Sequence, residues 1–413
     1  MSLLFSDEID QTEELTHLIF QWLNEKGYSQ TISSLEIESA TQQNPSVVKF
    51  GGQLEYIYNE HKELQASMKT EDTLLDEDPD LNELGDGVVH QHLHDTLGSV
   101  HSANILCSRF SPFKDSNLII TGSTDKSIKV TNYATKSLVN ELTDVATGAI
   151  ISLDFNPVNP ELLLASSMDG SHSLIKVTKE GDIELLQKFK DHIKYVVCVR
   201  WSPDGKKFAT SSYDKSVGYY VEDPNNQGQY ILEKVWNFTA TIESIIFTPE
   251  SSHIIAAVRE SNYIHYLNTD SDSGYNIDRY NMNSNGDDHV SFSALEFSIT
   301  PCKKYLLVST DRNRLILFKL YSDKQLRNFY GATNEFFVTT RNIICPSGKY
   351  VFSTSQDNLI YVWEVANQKI IAKLDGHRSS IRDLCFSPDK MFLASCGFDK
   401  KVNLWSKFSS LDN

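Results

Sequence analysis

His377, Ser395 and Asp399 are the residue types of a hydrolytic triad, and the same types return as His192, Thr210 and Asp214. In such a triad the hydroxyl attacks an acyl carbon, the imidazole takes its proton and the carboxylate orients the imidazole. That chemistry needs a hydroxyl that a substrate can reach. Here the set recurs within a repeated unit, which fits groups that satisfy one another's buried polar atoms, where loss of one partner costs ~1–3 kcal/mol. His90, His92 and His94 form a second candidate, because alternate residues of a strand point to one face and three imidazoles there could ligate a metal. No further ligand is placed by the sequence, so the run reads as a packed or solvent-facing strand face. The cysteines Cys107, Cys198, Cys302, Cys345, Cys385 and Cys396 show no Cys-x-x-Cys spacing and read as reduced core filler. A glycine-rich phosphate loop, a dinucleotide fingerprint and a His-Glu-x-x-His run are absent, so nothing positive points to an enzyme, a cofactor or a metal.

The elements that must position these residues are repeats. The last unit is the clearest: Gly376-His377, Phe386-Ser387-Pro388-Asp389, Leu393-Ala394-Ser395, Asp399 and Trp405. The same skeleton returns around His101, Phe110, Gly122 and Asp125, around Phe155 and Asp169, around His192, Trp201, Asp204 and Asp214, and around Pro346, Ser353, Asp357 and Trp363. Poorer copies run from Phe247 to Tyr266 and from Phe297 to Phe318. Seven units beyond residue 95 average about 45 residues, the period of a four-stranded propeller blade. Apolar runs such as Leu118-Ile119-Ile120, separated by Ser-Pro-Asp and Asp-Lys turns, read as short strands. Val88 to Asp95 reads as a strand that pairs beside Val402 to Trp405 and closes the ring, removing an exposed sheet edge.

Together these units resemble the WD-repeat β-propeller. The resemblance implies that His377, Ser395, Asp399 and Trp405 form a buried hydrogen-bonded tetrad. It implies a second one from His192, Thr210 and Asp214, with Tyr220 at the tryptophan position. The sixth unit keeps Ser353, Asp357 and Trp363 but has Glu335 where the histidine belongs. In that family, residues just past the histidine and flanking the aspartate ring one rim of the central channel, a frequent docking surface. On this chain those positions hold Tyr195, Tyr213, Lys215, Arg378, Arg382, Phe398 and Lys400, expected to bind a protein partner through aromatic and arginine contacts.

Ahead of the repeats, Leu15, Leu18, Ile19, Trp22 and Leu23 follow the spacing of one helix face, Gly27 suits a helix stop, and Ser29 suits the cap of a second helix with Ile32 and Leu35. A unit this small cannot bury enough surface alone and needs a partner. The run Leu15 to Glu38 resembles the lissencephaly-homology (LisH) motif, which implies a homodimer through Leu18, Ile19, Trp22 and Leu23; Trp22, Ile32 and Leu35 depart from the usual residues. Phe50, Leu54, Ile57, His61, Leu64 and Met68 form a short heptad seam. From Glu71 to Asp86 there are eight acidic residues and no basic one, which reads as a solvated linker. The expected organisation is therefore a LisH unit over 1–40, a short helix or coiled coil over 41–69, an acidic linker over 70–87 and an all-β seven-bladed propeller over 88–413.

Net charge −17 disfavours direct binding to nucleic acid or anionic lipid, and no apolar run reaches the ~18 residues needed to span a bilayer. Met1 to Asp10 lacks the pattern of a secretory signal, so an intracellular protein is expected, in the cytoplasm or, alternatively, the nucleus. The order LisH then WD repeats resembles dynein regulators, receptor-like ubiquitin-ligase subunits and transcriptional co-repressor subunits. All of these are non-enzymatic subunits of multiprotein complexes, and the rival class is a catalytic propeller. No basic nuclear-localisation run is present, since Lys206-Lys207, Lys303-Lys304 and Lys400-Lys401 are only pairs, and the polar stretch Asn268 to Asp288 reads as an insertion.

Overall fold

The computed structural model describes residues 19–39, 79–98, 100–335 and 340–408. The chain divides into two compact units, Met1–Glu77 and Asp78–Asn413. No helix among the described residues is long and apolar enough to cross a membrane.

In the first unit, residues 19–25 are helical, and Gly27 takes the left-handed conformation with φ 78° that a side chain disfavours. The Tyr28 amide folds back to donate to the Leu23 carbonyl, ending the helix as expected at Gly27. The second helix, Ser29–Ser39, starts so soon after this turn that the Ile32 amide already donates to the Tyr28 carbonyl. Tyr28, rather than Ser29, therefore stands at the capping position. Phe20, Leu23 and Ile32 form the buried centre of the hairpin, with Ile19, Trp22 and Leu35 at its margin. Leu15, Leu18 and the heptad seam lie outside the described residues.

The second unit holds seven four-stranded antiparallel sheets. Burial explains the sequence pattern of each. The second strand of blade one, Leu118–Ser123, is buried throughout, whereas its outer strand, Ser137–Leu142, is exposed along most of its length. Inner strands are covered on both faces by neighbouring blades and so read as continuous apolar runs rather than alternating ones. Apolar cores accordingly lie between blades: Ile128, Val130, Ile150 and Ile175 join the first two, and Ile360, Val362, Leu384 and Trp405 join the last two. Five of the cysteines are buried as expected, but Cys302 is exposed in a turn of blade five and is not core filler. Asn268 to Asp288 is no insertion either, because it contains Ile277–Asn281, the outer strand of blade four.

The ring closes on its seventh blade, where His92–Gly98 runs antiparallel to Lys401–Ser406, from His92 opposite Ser406 to Gly98 opposite Lys401. The closing strand thus lies a few residues beyond the expected Val88 to Asp95. The reason is that Val89 and His90 are held elsewhere: Val89 is buried in the core between blades six and seven, and the His90 Nε2–H donates to the Lys390 carbonyl. A bulge between Leu93 and Asp95 breaks the alternation further, leaving His92 exposed and His94 beside the Phe392 ring. The three histidines therefore share no face, and among the described residues no cluster of His, Cys, Asp or Glu is arranged to hold a metal ion.

The stretch before the closing strand is docked on the propeller. Pro79–Asn82 forms one helical turn, Leu81 is buried, and the Arg327 guanidinium of blade five donates to Asn82. The Gly85 amide donates to Glu364, the Gly87 amide donates to the Tyr350 hydroxyl, and that hydroxyl donates to Asp86. A Cβ at Gly85 would stand 2.0 Å from the Tyr350 hydroxyl oxygen, so a side chain there would force the Tyr350 ring to move. Part of the acidic run that composition reads as a solvated linker is thus tied to blades five and six.

Candidate functional site

The tetrad of blade seven is complete. The His377 Nδ1–H donates to Asp399 at 3.0 Å, the Ser395 hydroxyl donates to His377 Nε2 at 2.7 Å, and the Trp405 indole N–H donates to the Ser395 oxygen at 2.8 Å. Burial would raise the Asp399 carboxyl, but the hydrogen bond and charge of His377 hold it below the ordinary carboxylate range. Blade three repeats the arrangement, with His192 to Asp214 at 2.9 Å and Thr210 to His192 at 2.7 Å, while the Tyr220 hydroxyl donates to Asp191. Blade one carries a third set, His101, Thr121 and Asp125. Ser395, Thr210 and Thr121 are completely buried, so none of these hydroxyls can meet a substrate. In blade six the absence of the histidine rewires the set: the Trp363 indole donates to the Tyr330 carbonyl and the Tyr361 hydroxyl takes Asp357, leaving Ser353 apart.

The first strands surround the channel, and their charges form a pattern. Blades one to three carry Arg109, Asp154 and Arg200; blades five to seven carry Glu296, Arg341 and Asp383. The two triads alternate with opposite sign. Arg109 pairs with Asp383 at 2.7 Å, and Glu296 takes both Arg341 at 2.5 Å and Arg200 at 3.4 Å, the last spanning past blade four. The Trp201 amide donates to Asp154, whose carboxyl burial pushes up against the opposing pull of Arg200 and Arg109. Sequence reading did not single out these residues. For four of the six the available signal was a charged residue directly before an aromatic, Arg109-Phe110, Asp154-Phe155, Arg200-Trp201 and Glu296-Phe297; Arg341 and Asp383 carry no such mark.

At one mouth of this channel the structure gathers much of the expected partner surface. The Tyr195 and Tyr213 rings stack at 6.1 Å, and the Arg382 guanidinium lies over the Phe398 ring at 5.3 Å. Tyr195, Tyr213 and Arg382 line one cavity. Arg378 is exposed, with its amide donating to Asp399. The two lysines do different work. Lys215 and Lys400 occupy left-handed turn positions, and their ammonium groups donate to the Thr239 and Ser102 carbonyls of the next blade. They fasten neighbouring loops. Ile193 is the residue the sequence reading omitted; it directly follows His192, as Arg378 follows His377, and is 86% exposed.

Residues 94–132, 183–220, 323–364 and 368–406 match the model of the WD domain, G-beta repeat. Each match spans the outer strand of one blade and three inner strands of the next, a staggering that fits the observed ring closure. The chain is a WD-repeat β-propeller protein. It is 24% identical over 306 residues to a WD repeat-containing protein 26 homolog of Drosophila melanogaster, covering 72% of this chain and 45% of that one. To the protein of the same name in Arabidopsis thaliana it is 21% identical over 287 residues, 60% of this chain and 47% of that one. A third similar protein, of which the chain covers 25%, is the transcriptional corepressor LEUNIG_HOMOLOG of Arabidopsis thaliana, 21% identical over 52% of this chain. This WD-repeat protein thus spans a little under half the length of the first two relatives.

Proposed function

We propose that this protein is a non-catalytic, homodimeric scaffold that presents a protein-binding rim to an intracellular multiprotein complex. The observation that carries the reading is an exposed apolar and cationic surface on blades three and seven, where Ile193, Tyr195 at 46% exposure, Phe398 at 36% and Arg378 are open to solvent. Aromatic and arginine groups on a rigid support are the composition of binding centres, while the tetrad hydroxyls are sealed from solvent. Arg378→Glu combined with Phe398→Ala reverses a charge and removes a ring without touching a core. Affinity purification with mass spectrometry on the wild type identifies the principal partner, and the double variant loses it while keeping its unfolding midpoint. A well-folded double variant that retains the partner removes the rim from consideration.

Dimerisation through the amino-terminal hairpin is the second part of the proposal. Leu23 packs inside the hairpin, whereas Ile19 and Trp22 lie at its margin and are only half-buried. Two linked copies would engage a repeated partner with avidity rather than new contacts. Leu18→Asp should convert dimer to monomer in light scattering at micromolar concentration; a wild type already monomeric there removes the dimer. The net charge of −17 supports protein rather than nucleic acid as the ligand, and the absence of a basic nuclear-localisation run supports the cytoplasm as the proposed compartment. A co-repressor role is supported by the likeness to the Arabidopsis corepressor.

A further inference from the structure

On the face of the ring away from the rim, each first strand ends in a turn opened by a small polar residue. The side chains of Asn156, Ser202, Thr248, Thr300, Cys345 and Ser387 at this place all make hydrogen bonds. Ser111 of blade one is 3% exposed, yet its hydroxyl has no partner among the described residues. The sequence explains the difference. Ser202 and Ser387 donate to an aspartate two residues on, Asp204 and Asp389, where blade one has Phe113. The blade-one turn is also longer: the Ser111 amide pairs with the carbonyl of Leu118, seven residues on, whereas Ser202 and Ser387 reach Lys207 and Phe392, five on.

Beside this turn lies a cavity of about 320 Å³ between blades one and seven, with Ser111 in its wall. That is well above the ~10–15 Å³ one water requires. Phe113 and Tyr133 supply aromatic faces, and the Tyr133 ring is held edge-on by Phe110 at 5.5 Å and Phe392 at 5.9 Å. We propose that this cavity binds an alkylammonium group, the side chain of a lysine on a partner protein, which donates to the Ser111 oxygen and places its charge beside Asp115 and Asp389. The site lies opposite the rim and stands whether or not the rim is a partner surface.

Charge and hydrogen-bonding capacity select the ligand. The lining holds two carboxylates, of Asp115 and Asp389, against one ammonium, that of Lys114. Asp389 accepts from the Ser387 hydroxyl and the Met391 amide, both neutral donors, and neither carboxylate is in an ion pair among the described residues. Lys114 is exposed and pairs with neither. Burial and then the Asp389 charge push the Tyr133 hydroxyl up, a mark of the negative field across the cavity. Aromatic faces add attraction for a cation within ~6 Å. Among the described residues no three His, Cys, Asp or Glu side chains converge here to hold a metal ion, which leaves an organic cation. A guanidinium presents five donors in a fork and asks for paired acceptors, whereas Ser111 offers one oxygen, which suits an ammonium. A lysine carries its one charge on an aliphatic stem that matches Pro112 and Leu118; a free polyamine would set further charges against those apolar walls.

The test titrates the 413-residue chain with the Nα-acetyl amides of lysine, norleucine and arginine and with spermidine, read by saturation-transfer NMR. Lysine should bind at least fivefold more tightly than each of the other three. Ser111→Ala should weaken lysine fivefold or more without lowering the unfolding midpoint, because it deletes a hydroxyl that the folded chain leaves unanswered. Asp115→Asn/Asp389→Asn, at two exposed positions, should weaken it by a similar factor and keeps the test decisive should Ser111→Ala fold poorly. Norleucine or arginine binding as tightly as lysine overturns the proposal, as does lysine affinity that survives both variants. Tighter binding of spermidine assigns the cavity to a free polyamine and overturns the lysine. Arg378→Glu/Phe398→Ala should leave lysine affinity unchanged, and its loss there would overturn the separation of the two faces.

Discussion

Blades three and four are neighbours with the same strand order and nearly equal strand lengths, yet they are held together differently. Blade three is tied by His192, Thr210, Asp214 and Tyr220. The strand registers, Val199 opposite Thr210 and Phe208 opposite Tyr220 in blade three, Ile245 opposite Ala256 and Ile254 opposite Leu267 in blade four, put Phe238, Ala256, Glu260 and Leu267 at the equivalent places of blade four. There Phe238 packs edge-on against His265, and Ala256 and Leu267 are fully buried. Blade five goes further, with Val308 and Phe318 wholly buried and no polar tie at those places among the described residues. The fold of a blade therefore comes from apolar burial between sheets. The tetrad is an alternative filling of the same space, stable because each polar atom is answered, and exacting because loss of one leaves the others unanswered.

The comparison can be broken most forcefully at the apolar centres. Phe318→Ala in blade five and Trp405→Ala in blade seven should each cost ~3–5 kcal/mol in denaturant midpoint measurements, since both are large buried side chains. A markedly larger loss at Trp405 would mean that the tetrad, not burial, carries its blade. Next in size, Asp399→Ala should cost ~1–3 kcal/mol by leaving His377 unanswered, whereas Glu260→Ala, at the same place in blade four but exposed, should stay within about 0.5 kcal/mol. The double variant His192→Phe/Thr210→Ala installs the blade-four pair and should cost less than Thr210→Ala alone.

Acid should find the apolar blades. His172 of blade two is buried, stacked on Phe189 at 4.6 Å, and neither ring nitrogen has a hydrogen-bond partner among the described residues. Burial, with the nearby His192, lowers its pKa well below the ordinary histidine value, and burial lowers that of His265 in blade four to about 4. In the unfolded chain these rings take protons near 6.5, in the folded chain only at much lower pH, so protons favour unfolding. Stability should be constant above about pH 7 and fall as pH drops below the unfolded value. His172→Phe should reduce that slope by up to ~1.4 kcal/mol per pH unit. An unchanged slope would place the acid sensitivity elsewhere.

The blade count and the tetrads of blades three and seven were legible because turn aspartates and buried polar residues have fixed spacing. Blades four and five read as poor copies for the same reason: an apolar filling leaves no fixed residue types behind, only strand-length runs of Ile, Val and Leu. The closing strand was misplaced by a few residues because a bulge at Leu93 to Asp95 and the anchoring of His90 break the period-two pattern on which such reading depends. The opposed charge triads of the channel went unread because each member is unremarkable on its strand. Their meaning appears only when blades far apart in sequence face one another, as Arg200 and Glu296 do. On the rim, residue type located Tyr195 and Arg382, but Lys215 and Lys400 drew attention by charge while serving as inter-loop ties.

The way the ring closes also sets a clock for synthesis. His92–Gly98 is the first strand of the propeller to leave the ribosome, and its one sheet partner among the described residues, Lys401–Ser406, is the last. At ~5–20 residues per second, the intervening three hundred or so residues take roughly 15–60 s to be made. Throughout that interval the nascent protein carries an unpaired strand at its beginning and an unfinished edge at its growing end. Its vulnerability to misassembly is thus concentrated in translation, and the seventh blade is the step that ends it.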